Sequence, residues 1–451
     1  MDETTTTTST RSKGGPLVSH TSQALTRAVT FQFALDATEE QRTLFAKCNG
    51  ARRFAFNHHL ARVKENLDRR SAEQDLPVGP RRPSLSWSWV SFVNEFNAWK
   101  NGQLDSSPVN DDGTRGLAWR REVPGDVFEC ASVDAARALK NWSDSKRGAR
   151  TGAPVGFPRF AAKSRTTPSF RLRNKATPGE TQSIRFTDPA HLRLSKIGEV
   201  RVFGPTRRVR RMIDLGRFHV YSATITQRGG RWICSLNGVA AQFHPERRHP
   251  KDRHATPVGI DRGVTSLAVV ADADGQLLAA FEGVNELRRA HEQLVRAQKT
   301  LARATPGSKG RARARARLNK LHRRVANRRR HHAHQVTAWV MKNCTSVVLE
   351  DLNVAGMVRN HRLARSISDA AMGEVGRQIL YQAPWYGVEV TLADRFFASS
   401  KICSGCGAKK DRLELSTRVY VCAHCDLVID RDHNAGVNLA RWTRSVTTVS
   451  T

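Results

Sequence analysis

Four cysteines in the C-terminal part of the chain have the spacing of a metal site. They form two Cys-x2-Cys pairs separated by fifteen residues: Cys403, Cys406, Cys422 and Cys425. Two such pairs supply the four soft ligands that a tetrahedral, structural Zn²⁺ site requires. A redox dithiol is disfavoured, because a redox Cys-x2-Cys motif normally occurs once, at the start of a helix. The spacing therefore predicts a structural zinc site rather than four unrelated core cysteines.

Three acidic residues could form a second, catalytic metal site. Asp261 is expected in the middle of an apolar strand, where a lone charge is costly, Glu350 ends a second apolar strand, and Asp432 opens the last helix. Hydrolysis of a phosphodiester requires an activated water and a stabilised leaving oxygen, and two Mg²⁺ ions held by carboxylates provide both. We therefore predict that these three acids bind two catalytic Mg²⁺ ions, with Asp430 in support and Asp351 in a structural role. The alternative is that each acid is only a strand-end or helix-cap residue.

The strong positive charge of the chain indicates a polyanionic partner. The 451 residues include 74 Lys and Arg against 41 Asp and Glu, a net charge of +33. A chain of this length should form two or three domains. No secretory signal and no apolar run of membrane-spanning length is visible, so a cytoplasmic protein without a membrane partner is expected. The remaining cysteines are expected to be buried free thiols of a reducing compartment: Cys48, Cys130, Cys234 and Cys344.

The hydrophobic pattern divides the chain into two parts, each with its own series of predicted helices and strands. A half-buried strand at 28–35 is followed by a capping box at 38–41, by helices up to residue 147 and by short strands over 183–241. These strands could close a small barrel into which the helices at 38–147 are inserted. After a linker at 244–256, we predict a hairpin from residue 257, helices at 284–304, 310–342, 367–381 and 433–442, and strands at 346–350 and 388–392.

Four segments of the sequence resemble the motifs of one known family. They are Gly259-Ile260-Asp261-Arg262-Gly263, Leu349-Glu350-Asp351-Leu352, the cysteine entry Ser399-Ser400-Lys401-x-Cys403-x2-Cys406-Gly407, and Asp430-Arg431-Asp432-x-Asn434-Ala435-Gly436-x-Asn438-Leu439. With Thr38–Gln41, Asn49–Asn57 and Gly156–Phe160, they make residues 28–442 similar to TnpB (OrfB), a protein of bacterial insertion sequences related to compact type V CRISPR effectors. Two positions depart from the family without removing a metal ligand: Gly436 replaces the usual Ala, and Tyr381–Ala383 stands where a Lys is frequent.

The resemblance implies a fold with an α/β part and an all-β part. Residues 27–36 and 168–255 would form a wedge β-barrel, with 37–167 as an inserted helical recognition domain. Residues 256–395 would form an RNase H-like (RuvC) nuclease domain with a basic helical pair at 284–342. A zinc ribbon at 396–429 would be inserted before the last RuvC motif and helix at 430–443, and tails at 1–26 and 444–451 are expected to be disordered. The family's catalytic acids correspond to Asp261, Glu350 and Asp432, and its zinc ligands to the four cysteines.

The same resemblance implies an RNA-guided, Mg²⁺-dependent DNA endonuclease associated with a transposable element. A guide RNA from the end of the element and double-stranded target DNA would be its partners, and a monomer is expected. Two other functions stay open: a nuclease-inactive, RNA-guided DNA-binding repressor on the same fold, and a compact type V CRISPR effector. A transposase acting directly on element ends is disfavoured, because the histidines at 331–334 lie in an arginine-rich helix and no tyrosine has a nucleophile's context.

A dense run of basic residues is the best candidate for nucleic-acid contacts. Residues 309–330 contain eleven Lys and Arg and no acid. One helical face repeats them at i, i+4, i+7 and i+11, and a face of one charge sign repels itself unless a polyanion binds there. We expect this face to contact the phosphates of a guide RNA–DNA duplex, although a merely solvated face is the alternative. The candidate nucleic-acid-binding residues are Arg313, Arg317, Lys320, Arg324 and Arg328, with Arg52, Arg53 and Asn57 on the N-terminal helix.

Overall fold

The computed structural model describes residues 26–74, 82–175, 182–241, 253–283, 285–359, 364, 367, 371–414 and 416–447. The chain divides into two compact units, Met1–Ala241 and Gln242–Thr451. Most of the predicted tails and of the linker at 244–256 lies outside the described residues. Thr26 already belongs to the first strand and residues 444–447 to the last helix, where the sequence predicts tails.

An antiparallel sheet of seven strands forms the framework of the first unit. Its strands run in the order β2-β6-β7-β1-β5-β4-β3. The alternation of apolar and polar residues predicted for the first strand is present, because buried and exposed positions alternate along β1 and β7. The strands are β1 (Thr26–Asp36), β2 (Ser169–Arg173), β3 (Arg185–Phe186), β4 (His191–Leu194), β5 (Gly198–Phe203), β6 (Phe218–Arg228) and β7 (Arg231–Ala241), with helix α4 (Arg207–Asp214) between β5 and β6.

The two edges of this sheet approach each other at one end. No strand ladder joins β2 to β3 within residues 169–175 and 182–186. The main chain of Ser183, just before β3, nevertheless donates to the carbonyl of Lys175, just after β2, at 3.1 Å. The side-chain oxygen of Asn174 also accepts a hydrogen bond from the main-chain N of Ile184, at 2.9 Å. Complete closure into a barrel stays a prediction.

Three helices lie in the chain between β1 and β2. They are α1 (Glu39–Gln74), α2 (Trp89–Lys100) and α3 (Gly125–Lys146), and a short 3-10 helix spans Ala118–Arg121. The predicted capping box is confirmed, because Gln41 N donates to Thr38 Oγ1 at 3.3 Å and Thr38 N donates to Gln41 Oε1 at 3.1 Å. Helix α3 ends at Lys146, one residue before the predicted end of these helices at 147.

A mixed sheet of five strands forms the framework of the second unit. The strand order is β10-β9-β8-β11-β12. Strand β9 is antiparallel to both β8 and β10, whereas β11 is parallel to both β8 and β12. The strands are β8 (Val258–Asp261), β9 (Ser266–Asp272), β10 (Leu277–Glu282), β11 (Ser346–Glu350) and β12 (Glu389–Ala393).

Helices cover both faces of this sheet. Side chains of α6 and α8 pack with Val347 and Leu349 on one face, and Leu439 of α9 packs with Val348 on the other. Helix α8 continues past the predicted end at Tyr381 and contains Pro384. The helices are α5 (Glu286–Arg303), α6 (Lys309–Asn343), α7 (Val354–Met357), α8 (Met372–Tyr386) and α9 (Arg431–Thr447). In the described part of the chain, no helix combines the length and apolarity that crossing a bilayer would require.

Candidate active site and metal centre

Two neighbouring parallel strands bring Asp261 and Glu350 to the same edge of the sheet. Asp261 is the last residue of β8, not a mid-strand residue as the sequence predicts, and Glu350 is the last residue of β11. Ile260 lies opposite Leu349 in the ladder. The next residue on each strand is an acid, and adjacent strands are about 4.8 Å apart, so the two carboxylates start from neighbouring positions.

Helix α9 adds Asp432 to this edge. Asp430 Oδ1 accepts hydrogen bonds from the main-chain N of Asp432 at 2.9 Å and of His433 at 3.0 Å, which caps the helix start. Asp430 therefore supports the site through the backbone, in agreement with the prediction. The helix lies so close to β8 that a Cβ on Gly259 would be 1.9 Å from the carbonyl oxygen of Gly436. This close approach fixes the depth of Asp432 relative to the strands.

Two of the three acids, Asp261 and Asp432, have raised pKa values. Burial raises the pKa of Asp261 well above its ordinary value, and the charges of Glu350 and Asp432 raise that pKa further. Burial and the charge of Asp430 raise the pKa of Asp432, against the charges of Arg431 and Arg418 and a hydrogen bond from Ser266, which lower it. All three acids keep partial exposure, so solvent and ions can reach them. Carboxylates that repel one another in a reachable site form a donor set that a divalent cation would stabilise.

Glu350 is held by two residues to which the sequence analysis gives no role. The hydroxyl of Ser399 donates to Glu350 Oε1 at 2.5 Å. The guanidinium of Arg262 donates to the main-chain oxygen of Glu350 at 2.5 Å and to that of Met372 at 3.4 Å. Gly376 leaves the space for this guanidinium, because a Cβ there would be 2.1 Å from Arg262 Nη1. Ser399 and Arg262 both lie in segments that resemble the family's motifs, so their position in a motif could have indicated a role at the site.

Asp351 is structural in the described structure, as predicted. Its carboxylate accepts from Arg395 Nε at 3.0 Å and from Arg395 Nη2 at 2.5 Å. Asp351 thus has a cationic partner although it follows Glu350 directly. The positive charge of Arg395 compensates the negative charge of Asp351, which distinguishes this carboxylate from the three candidate catalytic acids.

The four predicted zinc ligands converge in one cluster. Their sulfur atoms all lie within 4.8 Å of one another, with Cys403 and Cys425 at 3.6 Å and Cys406 and Cys422 also at 3.6 Å. A tetrahedral Zn²⁺ with Zn–S bonds of about 2.3 Å places its sulfurs roughly 3.8 Å apart. The residues therefore fit a zinc ion. Among the described residues, the three acids do not form a cluster this tight.

Backbone geometry around the cysteines supports the same conclusion. Gly405 N donates to the sulfur of Cys403 at 3.3 Å, and His424 N donates to the sulfur of Cys422 at 3.4 Å. Such bonds stabilise thiolate charge. The second pair lies on a hairpin of β13 (Val419–Val421) and β14 (Val428–Asp430), and the fully buried Tyr420 packs beneath it.

The predicted nucleic-acid-binding residues of α6 differ in whether they already form an ion pair. Arg313, Arg317, Lys320 and Arg324 are exposed on α6 and form no ion pair within the described residues. Arg328 is different, because its Nη1 lies 2.7 Å from Glu286 Oε2 on α5. The pairing arises because α5 places a buried acid beside this turn of α6, and a phosphate contact by Arg328 stays a prediction.

The three candidates on α1 are all half-buried, and two of them form contacts within the first unit. Asn57 exchanges two hydrogen bonds with the main chain of Ala161, at 2.7 and 3.1 Å, which accounts for its amide without a nucleic acid. Arg52 lies 3.9 Å from Asp134 and stacks on Phe56. Arg53 is half-buried. Nucleic-acid binding by these residues stays a prediction, and the contacts of Asn57 and Arg52 give both side chains a structural role as well.

Comparisons with known proteins place this architecture in a family. A model described as a probable transposase, OrfB_IS605, matches residues 241–361, and a Cas12f1-like TNB domain model matches 373–439. A helix-turn-helix model of the same group matches 28–71, which in this chain form β1 and most of α1.

Two relatives that are at least 32% identical and match more than three quarters of this chain support the same assignment. A protein of Mycobacterium tuberculosis (strain H37Rv) named "Putative RNA-guided DNA endonuclease" is 33% identical over 420 residues, covering 91% of this chain and 86% of the relative. A Streptomyces pristinaespiralis protein with the same name is 32% identical over 345 residues, covering 76% and 79%. A solved structure titled as a Cas12f1–sgRNA–target DNA complex matches with a TM-score of 0.46 and 12% identity, covering 92% of this chain and 99% of that chain. The chain belongs to the OrfB/TnpB family.

Proposed function

We propose that this chain is an RNA-guided DNA endonuclease that depends on divalent metal ions, Mg²⁺ above all. The observation that carries the proposal is the convergence of Asp261, Glu350 and Asp432 from β8, β11 and α9 at one sheet edge. The names of the relatives support the RNA-guided part. The net charge of +33 supports polyanionic partners, namely a guide RNA and a double-stranded DNA target.

The three acids would bind the metal ions, and Asp261 would release a proton when it does so. Bound Mg²⁺ would supply an activated water and stabilise the charge on the leaving oxygen. The raised pKa of Asp261 means that cation binding would displace a proton from this carboxyl, so metal affinity would rise with pH. Ser399 and Arg262 would hold the side chain and the main chain of Glu350, respectively. Asp261, Glu350 and Asp432 would be the residues that hold these ions.

The domain division follows from the same proposal. The second unit would be an RNase H-like (RuvC) nuclease domain, supported by a sheet in which an antiparallel meander of three strands is followed by two parallel strands. The zinc ribbon of 396–429 would be an insertion before α9. The seven-stranded sheet would be the wedge barrel, and α1 to α3 its inserted recognition domain.

A plasmid cleavage assay tests the proposal. The chain is produced together with RNA transcribed from the DNA that flanks its gene, and the complex is incubated with Mg²⁺ and a plasmid library carrying the guide match. We expect double-strand cleavage that Asp261→Ala abolishes while RNA binding persists. Asp351→Asn is the matched control, since this neighbouring carboxylate is paired with Arg395 and should leave cleavage in place.

Two outcomes would contradict the proposal. Cleavage by Asp261→Ala would remove this acid from the catalytic site. RNA-dependent DNA binding without any cleavage by the unsubstituted chain would favour a nuclease-inactive repressor.

A further inference from the structure

The segment that enters the zinc ribbon, residues 399–404, contacts both the acids and the cysteines. Ser399 is 3% exposed, and its hydroxyl donates to Glu350 Oε1 at 2.5 Å. Four residues later Cys403 provides one of the clustered sulfurs. The segment therefore spans the short distance between a candidate catalytic carboxylate and a candidate zinc ligand. We call it the ribbon entry.

Two asparagines of α9 clamp the ribbon entry. Asn438 Nδ2 donates to the carbonyls of Ser399 at 2.8 Å and Ile402 at 2.7 Å. Asn434 accepts from Ser404 N at 2.8 Å and donates to the carbonyl of Ile402 at 2.7 Å. Asn434 is completely buried and Asn438 is 6% exposed. Buried amides with satisfied partners specify one geometry, because each misplaced bond would leave a desolvated polar group unpaired.

The clamp joins three groups that the sequence separates widely. Asn434 and Asn438 lie on the same helix as Asp432, so they fix the ribbon entry relative to that acid. Ser399 then fixes the carboxylate of Glu350 relative to the ribbon entry. The main chain flanking Cys403 is held on both sides by the same amides. Movement of the cysteine cluster would therefore be transmitted to Glu350 through a few short bonds.

We propose that Ser399 is a positioning residue for Glu350, and that the ribbon entry makes the geometry of the acid site depend on zinc in the cysteine site. The inference rests on the proposed function, because it assigns a role to Ser399 in binding the divalent ion at the acids. It goes beyond that function in making the zinc site part of the catalytic geometry rather than a local fold stabiliser.

Neighbouring serines supply a matched pair of variants. Ser399→Ala removes the hydroxyl from Glu350 and leaves the main-chain carbonyl that Asn438 binds. Ser400→Ala removes a hydroxyl one residue away, for which the described structure contains no hydrogen bond to an acid. Residues that orient metal ligands from outside the coordination sphere typically change metal affinity or activity by about 10–100-fold. We expect a loss of this size for Ser399→Ala and less than about twofold for Ser400→Ala.

The test measures ion binding as well as cleavage. Mn²⁺ is titrated into the complex of the full chain with its guide RNA, and bound ion is followed by electron paramagnetic resonance. The half-saturating Mg²⁺ concentration for cleavage is measured in parallel, together with zinc content and melting temperature. For Ser399→Ala we expect weaker Mn²⁺ binding and a higher Mg²⁺ requirement, with one zinc per chain retained. Wild-type complex from which zinc has been removed should show the same shift.

The outcomes separate this inference from the proposed function. If the unsubstituted chain binds no more Mn²⁺ than Asp261→Ala does, the proposed metal site itself is wrong. If it binds such an ion and Ser399→Ala binds equally well, the positioning role of Ser399 is wrong. If Ser399→Ala only lowers the melting temperature, the residue serves packing alone. If zinc removal leaves Mn²⁺ affinity unchanged, the dependence on the cysteine site is wrong.

Discussion

Asp261 is a carboxyl whose ionisation the folded protein opposes. Burial and the charges of Glu350 and Asp432 raise its pKa well above the ordinary value. When the folded state holds a proton more tightly than the unfolded state, stability falls as pH rises from the unfolded pKa through the folded one. At neutral pH and without divalent ions, this group therefore subtracts from stability. Such a cost is common where function requires charges to be assembled.

Replacing Asp261 by Asn should stabilise the metal-free protein. The substitution keeps the shape and removes the charge, and each pKa unit of elevation corresponds to about 1.4 kcal/mol. For a folded unit of the size of Gln242–Thr451, each kcal/mol gained in the free energy of unfolding should raise the Tm by about 2–4 °C. Thermal unfolding in buffer without Mg²⁺ measures the effect, and the advantage of Asp261→Asn should grow between pH 5 and pH 8.

Addition of Mg²⁺ supplies the control for this prediction. The ion should raise the Tm of the unsubstituted chain, because it binds the folded state, and should raise that of Asp261→Asn much less. A variant that melts below the unsubstituted chain at pH 8 would show that the carboxylate contributes favourable contacts that outweigh its repulsion.

At the scale of elements, the motifs predicted more than the periodicity did. The strand ends at Glu350 and the helix start near Asp432 follow from local pattern, and the spacing of the cysteines predicted their cluster. The clamp of Asn434 and Asn438 could not be predicted, because its partners are main-chain groups of a segment thirty or more residues earlier. Pattern identifies elements, whereas contacts across elements require the register and depth of packing.

The pairing of Arg328 illustrates the same limit. Its spacing suits a basic face, yet an acid on the preceding helix occupies it. Only the angle between α5 and α6 decides which arginines of one face remain available. The sequence therefore predicted the charge of the face, and the structure decided which members of it are available.

The contact between β8 and α9 gives a prediction for two glycines. A Cβ on Gly259 would meet Gly436 O at 1.9 Å and Ala440 N at 2.5 Å, both main-chain atoms that cannot move alone. A Cβ on Gly436 would meet Ala271 Cβ at 3.2 Å, which a small shift relieves. We expect Gly259→Ala to destabilise the second unit by about 3 kcal/mol or more. Gly436→Ala should stay within about 1 kcal/mol, because a helix gains about that much when Ala replaces Gly.

Urea unfolding of the full chain measures both variants, each serving as the control for the other. The larger loss must fall on Gly259→Ala. Equal midpoints for the two variants would mean that α9 can move away from β8, and the depth of Asp432 would then not depend on this contact. The family's usual Ala at position 436 is compatible with the expected tolerance.

At the scale of the whole molecule, the basic residues behind the net charge of +33 differ in whether they form ion pairs. Several arginines are committed to acids, as in the pairs Arg171–Asp134 and Arg395–Asp351. The exposed face of α6 is not, and neither is helix α4, whose four arginines form no ion pair within residues 182–241. Helix α4 is not among the predicted contacts, although four Arg in eight residues are visible in the sequence. Available guanidinium groups, not total charge, should determine binding to a polyanion.

Neutralising the available face of α6 should weaken nucleic-acid binding in a salt-dependent manner. The variant replaces Arg313, Arg317, Lys320 and Arg324 by Gln. Each lost phosphate contact should make the plot of log affinity against log salt shallower by about 0.7–0.9. Filter binding of guide RNA and of the RNA–DNA duplex between 50 and 400 mM salt measures the slope.

Arg328→Gln is the matched control, because it removes one positive charge from the same helix at a paired position. Its guanidinium lies 2.7 Å from Glu286, a residue only 5% exposed, so the substitution should leave the slope unchanged and cost about 1–3 kcal/mol of stability. A slope that flattens as much per charge for Arg328→Gln as for the four-residue variant would mean that binding responds to overall charge rather than to this face. A slope that does not change in the four-residue variant would place the phosphate contacts elsewhere, with α4 as the next surface to neutralise.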